Sequence, residues 1–294
     1  MSILVVTGTG TEVGKTVVTA AVAALAAARG GGVAVVKPAQ TGVGPGEPGD
    51  LAEVARLAGL CDTHEYARYP DPLSPAAAAR ISGLPPLSLA QTARNIRKLA
   101  LDRALVLVEG AGGLLVRYDE DGATLADLAR ELGAPALVVA DPALGTLNHT
   151  ALTLESMALR GVDLAGIVLG SWPYPSGRAG GADGDGSDAG GRTGGSSTDG
   201  PDAARRTNGP GMDGSDAGGR TDGPGAIPWD GPDLAMRCNL RDLETLAARP
   251  LAGALPAGAG RLDAAEFLLA AGAGLAPTLG GTFDAARFRA EWGR

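Results

Sequence analysis

A glycine-rich loop near the N-terminus carries the clearest chemical signal. Residues Val5 to Thr16 run from a short apolar strand through the loop into a helix, and the loop ends in Gly14, Lys15 and Thr16. In this context backbone N–H groups and the positive end of the helix cradle phosphates. Lys15 is expected to reach the β and γ phosphate oxygens, and Thr16 to bind Mg²⁺. The sequence therefore predicts a site for a nucleoside triphosphate.

The loop departs from the usual phosphate-loop spacing. Five residues separate Gly8 from Gly14 instead of four, and Thr9 stands where the first glycine normally lies. Phosphate would repel the charge of Glu12, so we expect this side chain to point toward a substrate ammonium or the solvent. A glycine-rich turn with a surface lysine is the alternative, but the flanking strand and helix favour phosphate binding.

Two further charged residues come at the ends of apolar strands. Lys37 follows Val33 to Val36, and Glu109 follows Ala104 to Val108. The first could neutralise a transferring phosphoryl group together with an anionic nucleophile, and the second is placed to hold Mg²⁺. Gly110 to Gly113 would let a substrate lie against the backbone. The alternatives are a solvated lysine and an acid at the rim of the sheet.

Other candidates are weaker. Asp50 heads a helix, where it would either cap the helix or join Glu109 at the metal. The turn from Asp141 to His149 offers backbone N–H groups to a carboxylate at a helix start. His149 as a general base is the sharper hypothesis there, but a structural hydrogen-bonding role is favoured.

The elements that position these residues alternate as βαβ units. This pattern predicts an α/β fold of the doubly wound type, with a mainly parallel sheet and helices on both faces. The predicted strands are Ile3 to Val6, Val33 to Val36, Ala104 to Val108, Ala136 to Ala140, Leu164 to Leu169 and, less clearly, Leu251 to Leu255. The predicted helices are Val17 to Arg29, Leu51 to Leu57, Leu89 to Leu101, Leu125 to Leu132 and His149 to Leu159. Ligands of such sheets gather at the carboxyl ends of the strands.

Composition narrows the classes of function. A formal charge of −8 and a pI near 4.9 disfavour nucleic acid and anionic membranes as partners. Cys61 and Cys238 are far apart in sequence, which predicts neither a disulfide framework nor a zinc site. The apolar run at the N-terminus stops at Thr7 and is too short for a signal peptide or a membrane span. A cytoplasmic protein is expected.

One segment differs from the rest of the chain. Residues 176–226 contain no Val, Ile, Leu, Phe, Tyr or Trp, and the run Gly186 to Thr193 is repeated at Gly214 to Thr221. This composition predicts a disordered insert of 51 residues within one domain that spans residues 1–294. A calcium-binding glycine and aspartate repeat is the alternative, but its apolar position is missing.

Four motifs in this order resemble the dethiobiotin synthetase family. They are Gly8 to Thr16, Lys37 to Gly42, Val108 to Gly113 and Leu144 to His149, and the resemblance covers Met1 to about Trp172 and resumes at about Trp229. The resemblance implies a magnesium-dependent ligase that forms C–N bonds. In this reaction 7,8-diaminononanoate takes up CO₂ as a carbamate, ATP phosphorylates it, and the second amine closes a cyclic urea.

The resemblance also implies roles for individual residues and a homodimer whose interface holds the active site. The implied catalytic residues are Lys37, Lys15 and Thr11, and the implied metal ligands are Thr16, Asp50 and Glu109. The implied nucleotide contacts are Glu12, Val13, Gly14, Lys15, Thr16, Val17, Gly170, Ser171, Pro256, Ala257 and Gly258. The implied substrate contacts are Thr41, Ser74, Glu109, Gly110, Ala111, Gly112, Gly145, Thr146, Leu147 and Asn148, of which Gly145 to Asn148 reach the partner's substrate carboxylate.

Two departures and two alternatives remain. Position 10 is glycine where the family often has aspartate, and the insert falls just before a region implied to contact the base. Backbone contacts there would read the base weakly, so the choice between ATP and another nucleotide stays open. An amide-forming synthetase of the cobalamin type would need a glutaminase partner. A switch ATPase would carry a signature lysine near position 10, where this chain has Gly10.

Overall fold

The computed structural model describes residues 3–60, 62–174 and 231–293. Its described strands form one seven-stranded sheet, in the order β3-β2-β4-β1-β5-β6-β7, and every pairing is parallel. The predicted insert at residues 176–226 lies outside the described residues. The strands are β1 Ile3–Gly8, β2 Val33–Thr41, β3 Thr63–Tyr69, β4 Leu105–Glu109, β5 Ala136–Ala140, β6 Leu164–Trp172 and β7 Gly253–Pro256.

Helices cover both faces of the sheet. Helices α1, α2 and α8 pack on one face, and α3 to α7 with α9 pack on the other. None of the helices in the described ranges combines the length and the apolar character needed to cross a membrane. The helices are α1 Lys15–Ala28, α2 Asp50–Ala58, α3 Pro75–Ser82, α4 Leu89–Asp102, α5 Leu125–Leu132, α6 Thr146–Leu159, α7 Leu234–Ala247, α8 Ala264–Gly274 and α9 Ala285–Trp292.

The doubly wound α/β prediction is confirmed. All six predicted strands are present, and β2 and β6 extend beyond them to Thr41 and Trp172. The edge strand β3 has no counterpart among the predictions. Its sequence, Thr63 to Tyr69, is mostly polar and half-buried, so it lacks the continuous apolar run that marks a strand covered on both faces.

Small side chains allow α1 to lie in the middle of its layer. Its sequence from Lys15 to Ala28 is dominated by Ala, Val and Thr, and most of its first three turns are buried. The helix packs against the sheet on one side and against α2 and α8 on the others. The N-terminus of α1 is therefore held firmly at the carboxyl end of the central strand β1.

The phosphate loop is pressed against the end of β6. Gly14 has a φ of 92°, a conformation that side chains with a Cβ rarely adopt. A Cβ at Gly14 would also lie 2.8 Å from the carbonyl oxygen of Gly170, and a Cβ at Gly170 would lie 1.9 Å from the carbonyl oxygen of Val13. Only glycine permits this approach, which brings the end of β6 against the start of α1.

The substitution Gly170→Ala tests this packing. Because the new methyl group would overlap the Val13 carbonyl, either the loop or the end of β6 must move. We expect the free energy of unfolding, measured by urea titration, to fall by about 1–3 kcal/mol. The matched control is Gly272→Ala in α8, where the nearest atom, Leu25 Cδ2, is 4.0 Å away. The control should be neutral or more stable by about 0.5–1 kcal/mol, and equal stability of the two variants would contradict the close contact.

Candidate active site

A buried ion pair joins the middle of β2 to the carboxyl end of β4. The expectation that Lys37 follows the end of its strand is wrong, because β2 continues through Pro38 to Thr41. These strands are paired so that Val36 is opposite Val108, which places the next residues, Lys37 and Glu109, side by side. Lys37 Nζ donates to Glu109 Oε1 at 2.9 Å and to the carbonyl oxygen of Gly110 at 3.2 Å. Asp50, from the start of α2, pairs with the same ammonium. Lys37 is 2% exposed and Glu109 is fully buried, so their charges interact with little screening by water.

The two carboxylates determine the charge of Lys37. Burial alone would lower its pKa. The charges of Glu109 and Asp50, together with their hydrogen bonds to the ammonium, outweigh this effect and raise the pKa of Lys37 well above its ordinary value. Lys37 is therefore a permanent cation at neutral pH.

Lys15 is in a different electrostatic state. Burial and the nearby charge of Lys37 lower its pKa, and Glu109 and Asp50 oppose this only in part. Its ammonium donates to the carbonyl oxygen of Gly10 at 2.8 Å, and it forms no ion pair with a carboxylate of the described residues. An anion that approached the loop would meet a cation whose charge is poorly compensated.

The remaining contacts bring the phosphate loop to the ion pair. Thr16 Oγ1 donates to Glu109 Oε1 at 2.8 Å, which joins the first turn of α1 to β4. The N–H of Thr9 is not directed into the loop, because it donates to the carbonyl oxygen of Val139 on β5. Thr9, in the place of the usual first glycine, therefore anchors the loop to the sheet.

A cavity of about 350 Å³ opens over these groups. Most of its lining residues were predicted from the phosphate loop, from the segment Lys37 to Gly42 or from the segment Val108 to Gly113. Glu12, in the left-handed region at a φ of 60°, is exposed at its edge, as expected for a carboxylate kept away from phosphate. The lining residues are Thr11, Glu12, Gly14, Lys15, Thr16, Lys37, Gln40, Thr41, Asp50, Glu109, Ala111 and Gly112.

The open question about Asp50 has a structural answer. The N-cap of α2 is Gly49, so Asp50 does not cap the helix, and its carboxylate turns toward Lys37 instead. Gln40, which was not among the predicted site residues, accepts a hydrogen bond from the N–H of Asp50 at 2.9 Å and is 4% exposed. It takes over the role of a cap and fixes the start of α2. In the sequence, only its place between Lys37 and Gly42 could have indicated a role at the site.

The oxygen atoms around Lys37 fit a magnesium ion. Glu109 Oε2 is buried and has no hydrogen-bond partner among the described residues, whereas Oε1 accepts from both Thr16 and Lys37. The described ranges contain no group of three or more His, Cys, Asp or Glu side chains suited to a metal. Mg²⁺ is usually held by one or two carboxylates with phosphate oxygens and water, so Thr16, Asp50 and Glu109 form a suitable donor set.

The residues predicted to contact the base lie beside the phosphate loop. Gly170 and Ser171 end β6, and Pro256 ends β7. The N–H of Ala257 donates to the carbonyl oxygen of Trp172 at 2.8 Å, and Gly258 has a φ of 81°. This turn approaches the first turn of α1, where Val17 lies. The structure thus groups these residues on one side of the phosphate loop, outside the Lys37 cavity.

The other predicted substrate contacts do not reach the cavity within one chain. Ser74 is exposed and is the N-cap of α3. Gly145 is the N-cap of α6, Thr146 is buried, Leu147 is half-buried, and Asn148 is exposed. His149 is also exposed and does not line the cavity, so the structure gives it no part in the chemistry of this chain's own site.

Tyr118 contacts the loop that follows Glu109 and was not predicted as a site residue from the sequence. Its hydroxyl accepts a hydrogen bond from the N–H of Ala111 at 3.0 Å, and its side chain is fully buried. Burial raises the pKa of this phenol, which keeps it protonated. Tyr118 lies five residues beyond Gly113, where no motif marks it.

The substitution Tyr118→Phe isolates this contact. The ring stays in place, but the partly buried N–H of Ala111 loses its acceptor. We expect the free energy of unfolding to fall by about 0.5–1.5 kcal/mol, the contribution of a typical hydrogen bond. The matched control is Tyr66→Phe, because the half-buried Tyr66 hydroxyl makes no hydrogen bond within the described ranges. The control should change stability by less than about 0.5 kcal/mol. Equal losses in both variants would show that the Ala111 contact is not made.

Comparisons with known proteins agree with this geometry. A family model described as an AAA domain matches residues 2–257. A protein of Parafrankia sp. (strain EAN1pec), named ATP-dependent dethiobiotin synthetase, is 54% identical over 99% of both chains. Proteins of the same name from Streptomyces coelicolor and Saccharopolyspora erythraea are 48% and 50% identical, over 98% and 97% of this chain and 98% and 100% of theirs.

A solved structure of the cell division ATPase MinD from Pyrococcus furiosus is more distant. It is 16% identical, with a TM-score of 0.46 over 92% of this chain and 97% of that chain. The likeness to the named relatives extends over nearly the whole chain. The chain belongs to the ATP-dependent dethiobiotin synthetase family.

Proposed function

We propose that this chain uses ATP and CO₂ to close the ureido ring of dethiobiotin on 7,8-diaminononanoate. The observation that carries the proposal is the buried Lys37 beside the phosphate loop, with a cavity large enough for small reactants above it. The relatives named ATP-dependent dethiobiotin synthetase support it across the full length of the chain. The enzyme is then a ligase that forms two C–N bonds.

The first step is formation of a carbamate. One amine of the substrate attacks CO₂, loses a proton, and gives a carbamate anion. Lys37 is the permanent cation of the cavity, so it is suited to hold this anion against Thr11 and Thr41. Gly112, with a φ of 67°, turns the backbone beside the cavity, so the substrate chain can lie along Ala111 and Gly112, which line it. Gly110, also a predicted substrate contact, does not line the cavity.

The second step is phosphoryl transfer. A carbamate oxygen attacks the γ phosphorus of ATP, ADP leaves, and a mixed carbamic and phosphoric anhydride forms. Lys15, whose charge is poorly compensated in the free protein, is suited to stabilise the phosphate oxygens from the side of the loop. Lys37 faces it across the cavity, so the two lysines can share the charge that develops between nucleophile and leaving group.

The third step closes the ring. The second amine attacks the carbonyl carbon of the anhydride and loses a proton, and phosphate leaves as the C–O bond to it breaks. Bound at Thr16, Asp50 and Glu109, Mg²⁺ would neutralise the negative charge of the β and γ phosphates. The same proposal assigns nucleotide contacts to residues 12–17 of the loop, to Gly170 and Ser171, and to Pro256 to Gly258.

The family relationship favours this activity over the two alternatives. No relationship to an amide-forming synthetase of the cobalamin type is needed to explain the site. A switch ATPase would present a lysine near position 10, but here Gly10 supplies only its carbonyl oxygen, which accepts from Lys15. The proposal also places the enzyme in the cytoplasm, where its co-substrate ATP is made and used.

We propose a single domain over residues 1–294, with an insert at 176–226. The support comes from the strands on either side of that segment. Strand β7, which follows it in the chain, pairs in parallel with β6, which precedes it, through Val168 with Gly253 and Leu169 with Ala254. Both sides of the segment therefore contribute to one sheet.

A homodimer is the second part of the proposal. The exposed face of α6 and the turn before it carry three leucines, Leu144, Leu152 and Leu159, which are 87%, 53% and 78% exposed. They share this face with Asn148 and His149, which face away from the cavity of their own chain. A second copy that packed on this face would cover the leucines and would receive the turn from Gly145 to Asn148 near its own substrate.

The substitution Leu152→Glu tests the dimer. It places a charge in the centre of the proposed interface, where desolvation disfavours association. Sedimentation velocity should show a dimer for the wild-type protein and a monomer for the variant. Leu101→Glu on α4 is the matched control, because Leu101 is 82% exposed away from this face. The proposal fails if the wild-type protein is a monomer, or if Leu152→Glu remains as dimeric as Leu101→Glu.

The substitution Lys37→Ala tests the function. We measure phosphate release with ATP and Mg²⁺ and omit in turn the diamine and bicarbonate. Release by the wild-type protein should require both substrates. Lys37→Ala should lower kcat by about 100-fold or more per mole of folded protein, since it removes the cation that the transition state needs. Lys98→Ala, at an exposed position of α4, should keep normal turnover. Near-normal turnover of Lys37→Ala would refute its role, and release that ignores the diamine would refute the reaction.

A further inference from the structure

Helix α2 touches the active site at two places. Its first residue, Asp50, pairs with Lys37 at the cavity. Farther along the same helix, Arg56 pairs with Glu53 and donates hydrogen bonds to the turn that follows β7. This turn, residues 257–262, contains the short 3₁₀ helix Ala259–Arg261. A single helix of nine residues thus spans the distance from the ion pair to the far side of the phosphate loop.

Arg56 makes an unusually complete set of hydrogen bonds for an exposed side chain. Its Nε and Nη2 donate to both carboxylate oxygens of Glu53, at 2.9 Å and 2.6 Å. Its Nη1 donates to the carbonyl oxygen of Leu262 at 2.9 Å, and Nη2 also donates to the carbonyl oxygen of Gly260. Glu53 thus orients the guanidinium, and the guanidinium holds the turn by its backbone. Only the planar fork of arginine makes both sets of contacts at once.

The turn that Arg56 holds is packed against the first turn of α1. A Cβ at Gly260 would lie 3.3 Å from Val17 Cγ2 and 3.7 Å from a carboxylate oxygen of Glu53. Pro256 at the end of β7, and Ala257 and Gly258 at the start of this turn, are among the nucleotide contacts proposed above. A shift of the turn would therefore move these proposed nucleotide contacts relative to the first turn of α1.

We propose that Arg56 is a positioning residue for the nucleoside part of ATP, which it controls by fixing the turn at residues 257–262. The inference rests on the proposed use of ATP. An exposed ion pair such as Arg56 with Glu53 contributes little to stability, because water screens the two charges. The role of Arg56 is therefore to hold the turn in its binding geometry. Its removal should lower the affinity for the nucleotide more than the stability of the fold.

Calorimetric titration of the full chain with two probes tests the proposal. With Mg²⁺ present, Arg56→Ala should weaken binding of ATP by about tenfold, the equivalent of one or two backbone hydrogen bonds. Binding of inorganic tripolyphosphate should be unchanged, because it has no nucleoside. In turnover, KM for ATP should rise while kcat at saturating ATP stays within about twofold. Arg56→Lys should restore only part of the affinity, since an ammonium cannot reproduce the fork.

Arg80→Ala is the matched control. Arg80 on α3 forms an exposed ion pair with Glu120 at 2.7 Å, and neither residue lines the cavity or contacts the turn. Its loss should leave ATP affinity unchanged. Equal ATP affinity of Arg56→Ala and Arg80→Ala would overturn the proposal, and so would an equal loss of ATP and tripolyphosphate binding. Because binding is measured without the diamine, failure to form dethiobiotin would refute the proposed reaction but would leave this result intact.

Discussion

The buried contact between Lys37 and Glu109 is the interaction on which the rest of the site depends. Two opposite charges are held almost without exposure on adjacent parallel strands. Removing either partner would leave an unpaired charge in the interior, which typically costs about 3–5 kcal/mol. The pair therefore constrains its surroundings, and Thr16, Asp50 and the Gly110 carbonyl are all placed by contact with it.

This arrangement gives the two lysines different tasks. The carboxylates keep Lys37 charged, whereas Lys15 is buried near another cation and relies on the Gly10 carbonyl. In the free protein the charge of Lys15 at the phosphate loop is therefore poorly compensated, whereas the charge of Lys37 is compensated by two carboxylates. In the proposed reaction, phosphate binding would compensate the charge of Lys15, and the carbamate would compete with Asp50 and Glu109 for Lys37. This ordering brings nucleophile and phosphoryl group together between two cations.

The sequence predicts which motifs come together where a general rule of parallel sheets connects them. Parallel strands end at the same edge of a sheet, so Lys37, Glu109 and the phosphate loop were expected to meet, and they do. Gln40, Tyr118 and Arg56 were not foreseen, because each acts on the backbone of another segment. Arg56 lies more than two hundred residues from the carbonyl groups that it binds. No local sequence pattern encodes such contacts. Likewise, only the position of α2 in the structure shows that Asp50 pairs with Lys37 and that the N-cap of the helix is Gly49.

The most direct measurement of the mechanism follows oxygen from CO₂ into the products. The enzyme is given ¹⁸O-labelled CO₂, ATP, Mg²⁺ and 7,8-diaminononanoate, and both products are analysed by mass spectrometry before the label exchanges with water. If Lys37 holds a carbamate for attack on the γ phosphorus, one labelled oxygen leaves in the phosphate and the other stays in the carbonyl of the dethiobiotin ring. Labelled dethiobiotin with unlabelled phosphate would contradict phosphorylation of the carbamate, and the role assigned to the two lysines would fall with it.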